Sequence, residues 1–421
     1  MQSKILKSGA RLLVHEMKGF EGVSFKLFVQ VGSGNEKLEN EYGISHLIEH
    51  MFFKGTKTRT SLDIVKEFDK YGIQSNAYTT KNSTCYFVYG TKNALEKGVE
   101  LISDMLFNST FDEEELKKEK QVVIEEINMY QDMPDALCEI LLDSVFFDKT
   151  NYAHDIAGTQ QTVTNISREQ ILNYIHKNYT PKNIILSFAG NISFEEAENL
   201  ANTYFENNFT IKEDFEYNLK PSNYEIQKSQ KILVKDTNQA QVRIAYPTCN
   251  SFNQKEYLLN RFVASMLGNG MSSRLFQEVR EKLGLVYTVY ADNSSYDLTG
   301  VFTIAFGASL KNVDLALKTI KKVIDEVVTV GFNMQELEQT KTVLISNLKL
   351  NSDSPSNMTS RMINYLVLYN KLISKDDYIK MLEDITLFDV NNQVKKIFSN
   401  NYCITMVSPN NEINLIESFE N

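Results

Sequence analysis

Long apolar runs are missing from this sequence: no stretch of about 18 apolar residues occurs, so no membrane span is expected. The opening residues, Met1-Gln2-Ser3-Lys4-Ile5-Leu6-Lys7, carry no apolar core of the secretory kind, and no leader is expected there. Cysteine is scarce. Cys85, Cys138, Cys249 and Cys403 stand without CxxC spacing, which suits reduced thiols in a cytoplasmic protein. A basic surplus is also absent, with 44 Lys and Arg against 54 Asp and Glu. The formal charge of −10 argues against a nucleic-acid partner and fits a cavity that draws in basic or neutral peptides. What is plentiful is core-forming material: 42% hydrophobic residues, including 25 Phe and 21 Tyr. At 421 residues the chain exceeds what one core usually serves, so at least two domains are expected.

The chain reads as built twice. Strand-like alternation at Val23–Val31 is followed by a helix carrying His46-Leu47-Ile48-Glu49-His50 and a second helix over Ser61–Tyr71, with Ser61 as N-cap and Gly72 just past the end. Then come an extended segment from Ser75 to Tyr89, helices over Lys92–Phe107, Glu113–Gln131 and Arg168–Asn178, and an apolar strand at Ile184–Phe188. Phe68-Asp69-Lys70-Tyr71-Gly72-Ile73 resembles Arg280-Glu281-Lys282-Leu283-Gly284-Leu285. Phe111-Asp112-Glu113-Glu114-Glu115-Leu116 resembles Phe332-Asn333-Met334-Gln335-Glu336-Leu337, and strand-like Gln241–Tyr246 answers the first strand. Several matches in one order indicate an internal duplication. The polar stretch from about Glu206 to Ser222 reads as the linker between them. The predicted fold is α+β: two homologous halves, residues 1–210 and 225–421, each an antiparallel-rich mixed sheet covered by helices.

Two histidines four residues apart lie on one face of a helix, a turn apart, and so are placed to bind one ion. Glu49 between them is within reach of a water on that ion. His46-Leu47-Ile48-Glu49-His50 has the inverted order of the zinc-peptidase motif H-E-x-x-H. The alternative reading is a pair of ordinary helix-surface histidines. A catalytic zinc needs a third protein ligand and one open position. On the helix from Glu113, helical spacing groups Glu119, Val122, Val123, Glu126, Ile127 and Tyr130 on one apolar face, and Lys118, Gln121, Glu125 and Asn128 on another. An inward carboxylate must be paired or coordinate a metal. That selects Glu126 as ligand over Glu125, with Glu119 in support; buried ion pairs with Lys or Arg are the alternative for both. In the second half the equivalent positions are Leu258, Arg261, Phe262 and Asn347, none of them a zinc ligand set. The architecture therefore does not itself demand these residues.

The stretch His46-Leu47-Ile48-Glu49-His50-Met51-Phe52-Phe53-Lys54-Gly55-Thr56 resembles the pitrilysin-type metallopeptidases, in particular the short branch of mitochondrial processing peptidase and its bacterial relatives. The resemblance implies a third ligand 76 positions after His50, which is Glu126, and a supporting glutamate at Glu119. It implies one zinc per chain and a clamshell of the two halves enclosing bound peptide. It also implies peptide-bond hydrolysis with Glu49 as general base. Gly72-Ile73-Gln74-Ser75-Asn76-Ala77-Tyr78-Thr79 looks like the family's substrate-binding edge strand, with Asn76 and Ala77 contacting an extended peptide. Gly270-Met271-Ser272-Ser273-Arg274-Leu275-Phe276 and its continuation resemble a second-half segment in which Arg280 holds substrate and Tyr287 donates to the developing oxyanion. It lacks the Gly-Lys-Ser/Thr ending of a phosphate loop. Because zinc motif and Arg/Tyr segment share this one chain, a homodimer is expected rather than a heterodimer. A catalytically silent scaffold or peptide binder of the same fold is the rival reading. Tyr152-Ala153-His154-Asp155 matches the family loosely, so His154 stays outside the expected site, and His15 and His176 read as packing or surface residues.

Overall fold

A computed structural model describes residues 1–37, 39–209 and 224–421. Strands β1 (Gln2–Ile5), β2 (Arg11–Glu16), β3 (Gly22–Val29), β4 (Gln74–Thr79), β5 (Thr84–Thr91) and β6 (Ile184–Gly190) form a six-stranded sheet in the order β1-β2-β6-β3-β5-β4. Strands β7 (Ser229–Val234), β8 (Ala240–Thr248), β9 (Val286–Ser295), β10 (Gly300–Ala308) and β11 (Cys403–Ser408) form a second, ordered β7-β11-β8-β10-β9. With β1 set aside, the two sheets correspond strand for strand. Each has one parallel pair, β2 with β6 and β7 with β11, and is otherwise antiparallel. The duplication inferred from short sequence matches is thus a repeated sheet topology in an α+β fold. The predicted linker lies outside the described residues from 210 onward, and Glu206–Asn208 before it is one 3-10 turn.

The helices of the first half are α1 (Ile44–Phe52), α2 (Ser61–Lys70), α3 (Lys92–Asn108), α4 (Glu113–Asp132), α5 (Pro134–Phe146), α6 (Gln160–Asn165), α7 (Arg168–Asn178) and α8 (Phe194–Tyr204). Those of the second are α9 (Gln254–Gly268), α10 (Leu310–Thr329), α11 (Met334–Leu350), α12 (Pro355–Tyr369), α13 (Lys375–Glu383), α14 (Leu387–Phe398) and α15 (Leu415–Glu420). None in the described residues is long and apolar enough to cross a membrane. The described residues divide into two compact units. Of these, one takes in the described residues of 1–127, 154–209 and 348–374; the other takes in 128–153, 224–347 and 375–421. Helix α12 therefore packs in the first unit and α5 in the second.

Two boundaries differ from the sequence reading. Helix α2 is capped by Thr60, not Ser61: the Thr60 hydroxyl accepts the Asp63 N–H while the Asp63 carboxylate accepts the Thr60 N–H, a reciprocal box that Ser61 is one residue too late to make. Gly72 does follow the helix, at φ +63°. Strand β3 reads as alternating, yet it is buried on both faces. One face packs Phe25 and Leu27 into the core with Ile48, Met51 and Phe52 of α1. The other places Phe28 with Cys85 and Ile185 against Met358, Met362 and Ile363 of α12. That helix also buries Lys26, whose ammonium donates to Ser360 Oγ at 2.7 Å and lies 4.9 Å from the Phe87 ring centroid.

Candidate metal centre and active site

Helix α1 is amphipathic. Ile44, Leu47, Ile48, Met51 and Phe52 are buried, at i, i+3, i+4, i+7 and i+8. This apolar stripe anchors the helix under the sheet and leaves His46, Glu49 and His50 on the other side, half-buried. Helix α4 lies across from it with Leu116, Glu119, Val123 and Ile127 buried and Glu125 exposed. Val122, grouped with the inner face by spacing, is 50% exposed. The buried stripe is centred on Leu116, Val123 and Ile127, and at about 100° per residue Val122 falls well outside it while Glu126 sits on its flank. A flank position lets Glu126 reach the histidines without entering the core.

The Nε2 atoms of His46 and His50 lie 3.7 and 3.5 Å from Glu126 Oε2. These separations are too long for strong hydrogen bonds. The second falls within, and the first just beyond, the spacing of neighbouring corners of a zinc tetrahedron, roughly 3.3–3.6 Å for metal–ligand bonds near 2.0–2.2 Å. One ligand atom from each of the three residues falls within 4.8 Å of the others, and among the described residues they are the one His/Cys/Asp/Glu group so placed. Two imidazoles and one carboxylate, with a fourth corner left for water, suit catalytic zinc. Glu119, buried, accepts from His50 Nδ1 at 2.9 Å and from Lys54 Nζ at 2.6 Å. Such a carboxylate fixes the tautomer that turns Nε2 to the metal. In the metal-free chain the imidazoles diverge. Burial and the charge of His50 hold His46 down at about 4. Burial would lower His50 too, but the hydrogen bond to Glu119 and the nearby carboxylates of Glu126 and Glu49 push it up to about 9.

Glu49 is held at one oxygen: Thr79 Oγ1 donates to its Oε2 at 2.6 Å. Burial holds the Glu49 carboxyl above the usual range, against the Thr79 bond and the charge of His50, which pull it down. A more basic carboxylate is a better proton acceptor at neutral pH. Thr79 closes β4, an edge strand that among the described residues pairs with β5 alone and runs beside α1. Asn76 on β4 is exposed and Ala77 packs against the core.

Arg280 and Tyr287 lie in the second unit. Arg280 is in a π-helical segment, Phe276–Lys282, and Tyr287 is 73% exposed on the edge strand β9. They are neighbours: the guanidinium lies 5.7 Å from the Tyr287 ring centroid and 4.6 Å from that of Phe276. At the duplicated positions Leu258 and Phe262 are buried core residues and Arg261 donates to the Tyr378 hydroxyl. Sequence reasoning missed two residues here. Thr79 was read only as the end of a strand, and Glu36, which bonds the start of α1 and His154, left no local pattern.

Comparison with known proteins identifies the family. Residues 13–160 match the family model "Insulinase (Peptidase family M16)" and residues 165–344 match "Peptidase M16 inactive domain". A Bacillus subtilis protein that carries the name uncharacterized zinc protease YmxG is 32% identical over 403 residues, covering 96% of this chain and 97% of its own. One from Rickettsia felis is 34% identical over 406 residues, at 96% and 97% coverage. In fold, the chain is similar to the M16 inactive-domain structure from Pseudomonas fluorescens (TM-score 0.90, 20% identity, 98% and 99% of the two chains). It is also similar to a chain of complex III2 from Candida albicans (TM-score 0.84, 17% identity, 100% and 99%). The fold is thus shared by chains named for quite different roles, and the two family-model matches with the near-full-length identity to these relatives decide the kinship. The chain belongs to the pitrilysin-type, or insulinase-type, M16 family of metallopeptidases.

Proposed function

We propose that this chain is a zinc metalloendopeptidase that hydrolyses extended peptides or unfolded segments. The carrying observation is that two imidazole nitrogens and a carboxylate oxygen stand at tetrahedral-corner spacing, with Glu49 on the same helix face and tied to an open edge strand. His46, His50 and Glu126 would hold one zinc per chain. Bound there, zinc supplies a Lewis acid that lowers the pKa of water and polarises the scissile carbonyl. Glu49 takes a proton from the attacking water and delivers it to the leaving amine as the C–N bond breaks. A peptide adding to the free side of β4 gains main-chain hydrogen bonds near Asn76 and Ala77, which orients its carbonyl in register with Glu49. The reading assigns the catalytic chemistry to residues 1–210. It assigns to residues 225–421 the task of presenting Arg280 to the substrate and Tyr287 to the developing oxyanion. The assembly it favours is a homodimer.

Metal content by mass spectrometry and cleavage of a quenched peptide library, for the native chain and Glu49→Gln, test it. About one zinc per chain in both with cleavage only by the native chain is expected. Equal cleavage by the two, or zinc without cleavage in the native chain, overturns the enzyme reading, and the second result favours a silent scaffold. A monomer mass by light scattering counts against the dimer.

A further inference from the structure

Helix α1 begins without a capping side chain. Its N-cap is Gly43, at φ +92°, which offers no oxygen to the first-turn N–H groups. Glu36 supplies both: Oε2 accepts the Gly43 N–H and Oε1 the Ser45 N–H, each at 2.9 Å, from a fully buried carboxylate. His154, 118 positions away in sequence, places Nε2 2.8 Å from the same Oε2, and its ring lies flat on Tyr42 with centroids 3.8 Å apart. The backbones approach just as closely. A Cβ on Gly43 would meet the Ala157 carbonyl oxygen at 2.5 Å, and one on Gly158 would meet that of Tyr42 at 2.4 Å. Three separate stretches of chain are thereby gathered on one carboxylate at the start of the zinc-motif helix.

The two histidines of that helix are held differently. His50 is oriented through Nδ1 by Glu119. His46 Nδ1 is buried with no hydrogen-bond partner among the described residues. The aim of His46 therefore rests on the backbone of the first turn, one peptide from the Ser45 N–H that Glu36 holds. A buried, hydrogen-bonded polar pair is a poor way to gain stability alone, because desolvation offsets most of its attraction; its better-attested use is to select one arrangement.

We infer that Glu36 and His154 are a positioning pair that aims His46 at the metal, as Glu119 does for His50. The inference rests on reading His46, His50 and Glu126 as the metal site. Its test uses the full chain with His154→Leu, His154→Gln and Glu36→Gln. For each, zinc affinity is measured by chelator competition, the visible spectrum is recorded after cobalt substitution, and melting is followed without metal. A glutamine amide nitrogen reaches the place of Nε2 and keeps the donor to Glu36. His154→Leu should therefore lose about tenfold in zinc affinity and shift the cobalt bands, while His154→Gln restores both. Glu36→Gln should lose at least as much as His154→Leu; should it not fold, the two His154 variants decide alone. A folded His154→Leu with native zinc affinity and native cobalt spectrum overturns the proposal, as does an equal loss in the Leu and Gln variants. A native chain that binds no zinc overturns the metal reading itself, a result distinct from either.

Discussion

Replacing Glu119 by Gln isolates the support of one ligand from the ligand itself. In the native chain its two oxygens serve two donors, His50 Nδ1 at 2.9 Å and Lys54 Nζ at 2.6 Å, and the side chain is only 6% exposed. Glutamine has one acceptor oxygen for those two donors, and its amide hydrogens face either an ammonium or an imidazole N–H. One buried charge-assisted bond must fail, at about 1.5–3 kcal/mol. If the failure falls on His50, the imidazole loses its orientation and basicity, and groups in this role carry about 10–100-fold in metal affinity. That range equals about 1.4–2.8 kcal/mol, so the two routes to the magnitude agree. Chelator competition at fixed pH measures it, with the metal-free melting temperature as a folding control and Glu125→Gln, on the exposed face, as a substitution that leaves affinity unchanged. A folded Glu119→Gln within twofold of native affinity, roughly 0.4 kcal/mol, refutes the reasoning.

Three further outcomes follow from the same geometry. Because metal-free His50 keeps its proton up to about pH 9 while His46 is neutral above about 4, each zinc bound at pH 7 should displace about one proton. Calorimetry in buffers of different ionisation enthalpy reads that number, and zero protons contradicts it. Thr79→Val removes the hydroxyl on Glu49 and should lower kcat by about tenfold at unchanged zinc content, with Thr79→Ser near native; equal kcat for Val and Ser rules the bond out. Asp297, buried beside the Ser251 hydroxyl, has its carboxyl pushed up to about 6 by burial. The folded state then holds the proton more tightly than the unfolded state, so this group favours folding below about pH 4. That contribution fades as pH rises to about 6, by a total on the order of 2–3 kcal/mol. Asp297→Asn should raise the melting temperature more at pH 7.5 than at pH 4.5, and an equal effect at both is evidence against it.

What was legible in the sequence was periodic or local. Helix spacing separates exposed Glu125 from half-buried Glu126, because each step along a helix turns about 100° and so puts neighbours on different faces. The internal repeat shows in short matches because each half builds the same strand order. Contacts between distant segments were not legible. The alternation of β3 suggests an outer face for Ser24 and Lys26, but α12, more than 330 positions away, covers it. Val122 was misplaced because spacing defines a stripe without saying how wide it is. Glu36 escaped because it lies in no pattern, and His154 was set aside because its segment matches the family only loosely; only the fold brings them to the first turn of α1. Thr79 escaped because a strand end next to a helix is not visible from either one alone.

The central claim is that His46, His50 and Glu126 hold one zinc beside Glu49. Anomalous scattering at the zinc edge, from crystals of the native chain grown with one equivalent of zinc, tests it most directly. One strong peak is predicted within about 2.0–2.2 Å of His46 Nε2, His50 Nε2 and a Glu126 oxygen, with a solvent ligand on the Glu49 side. A peak bonded elsewhere, or none at these three side chains, contradicts the account.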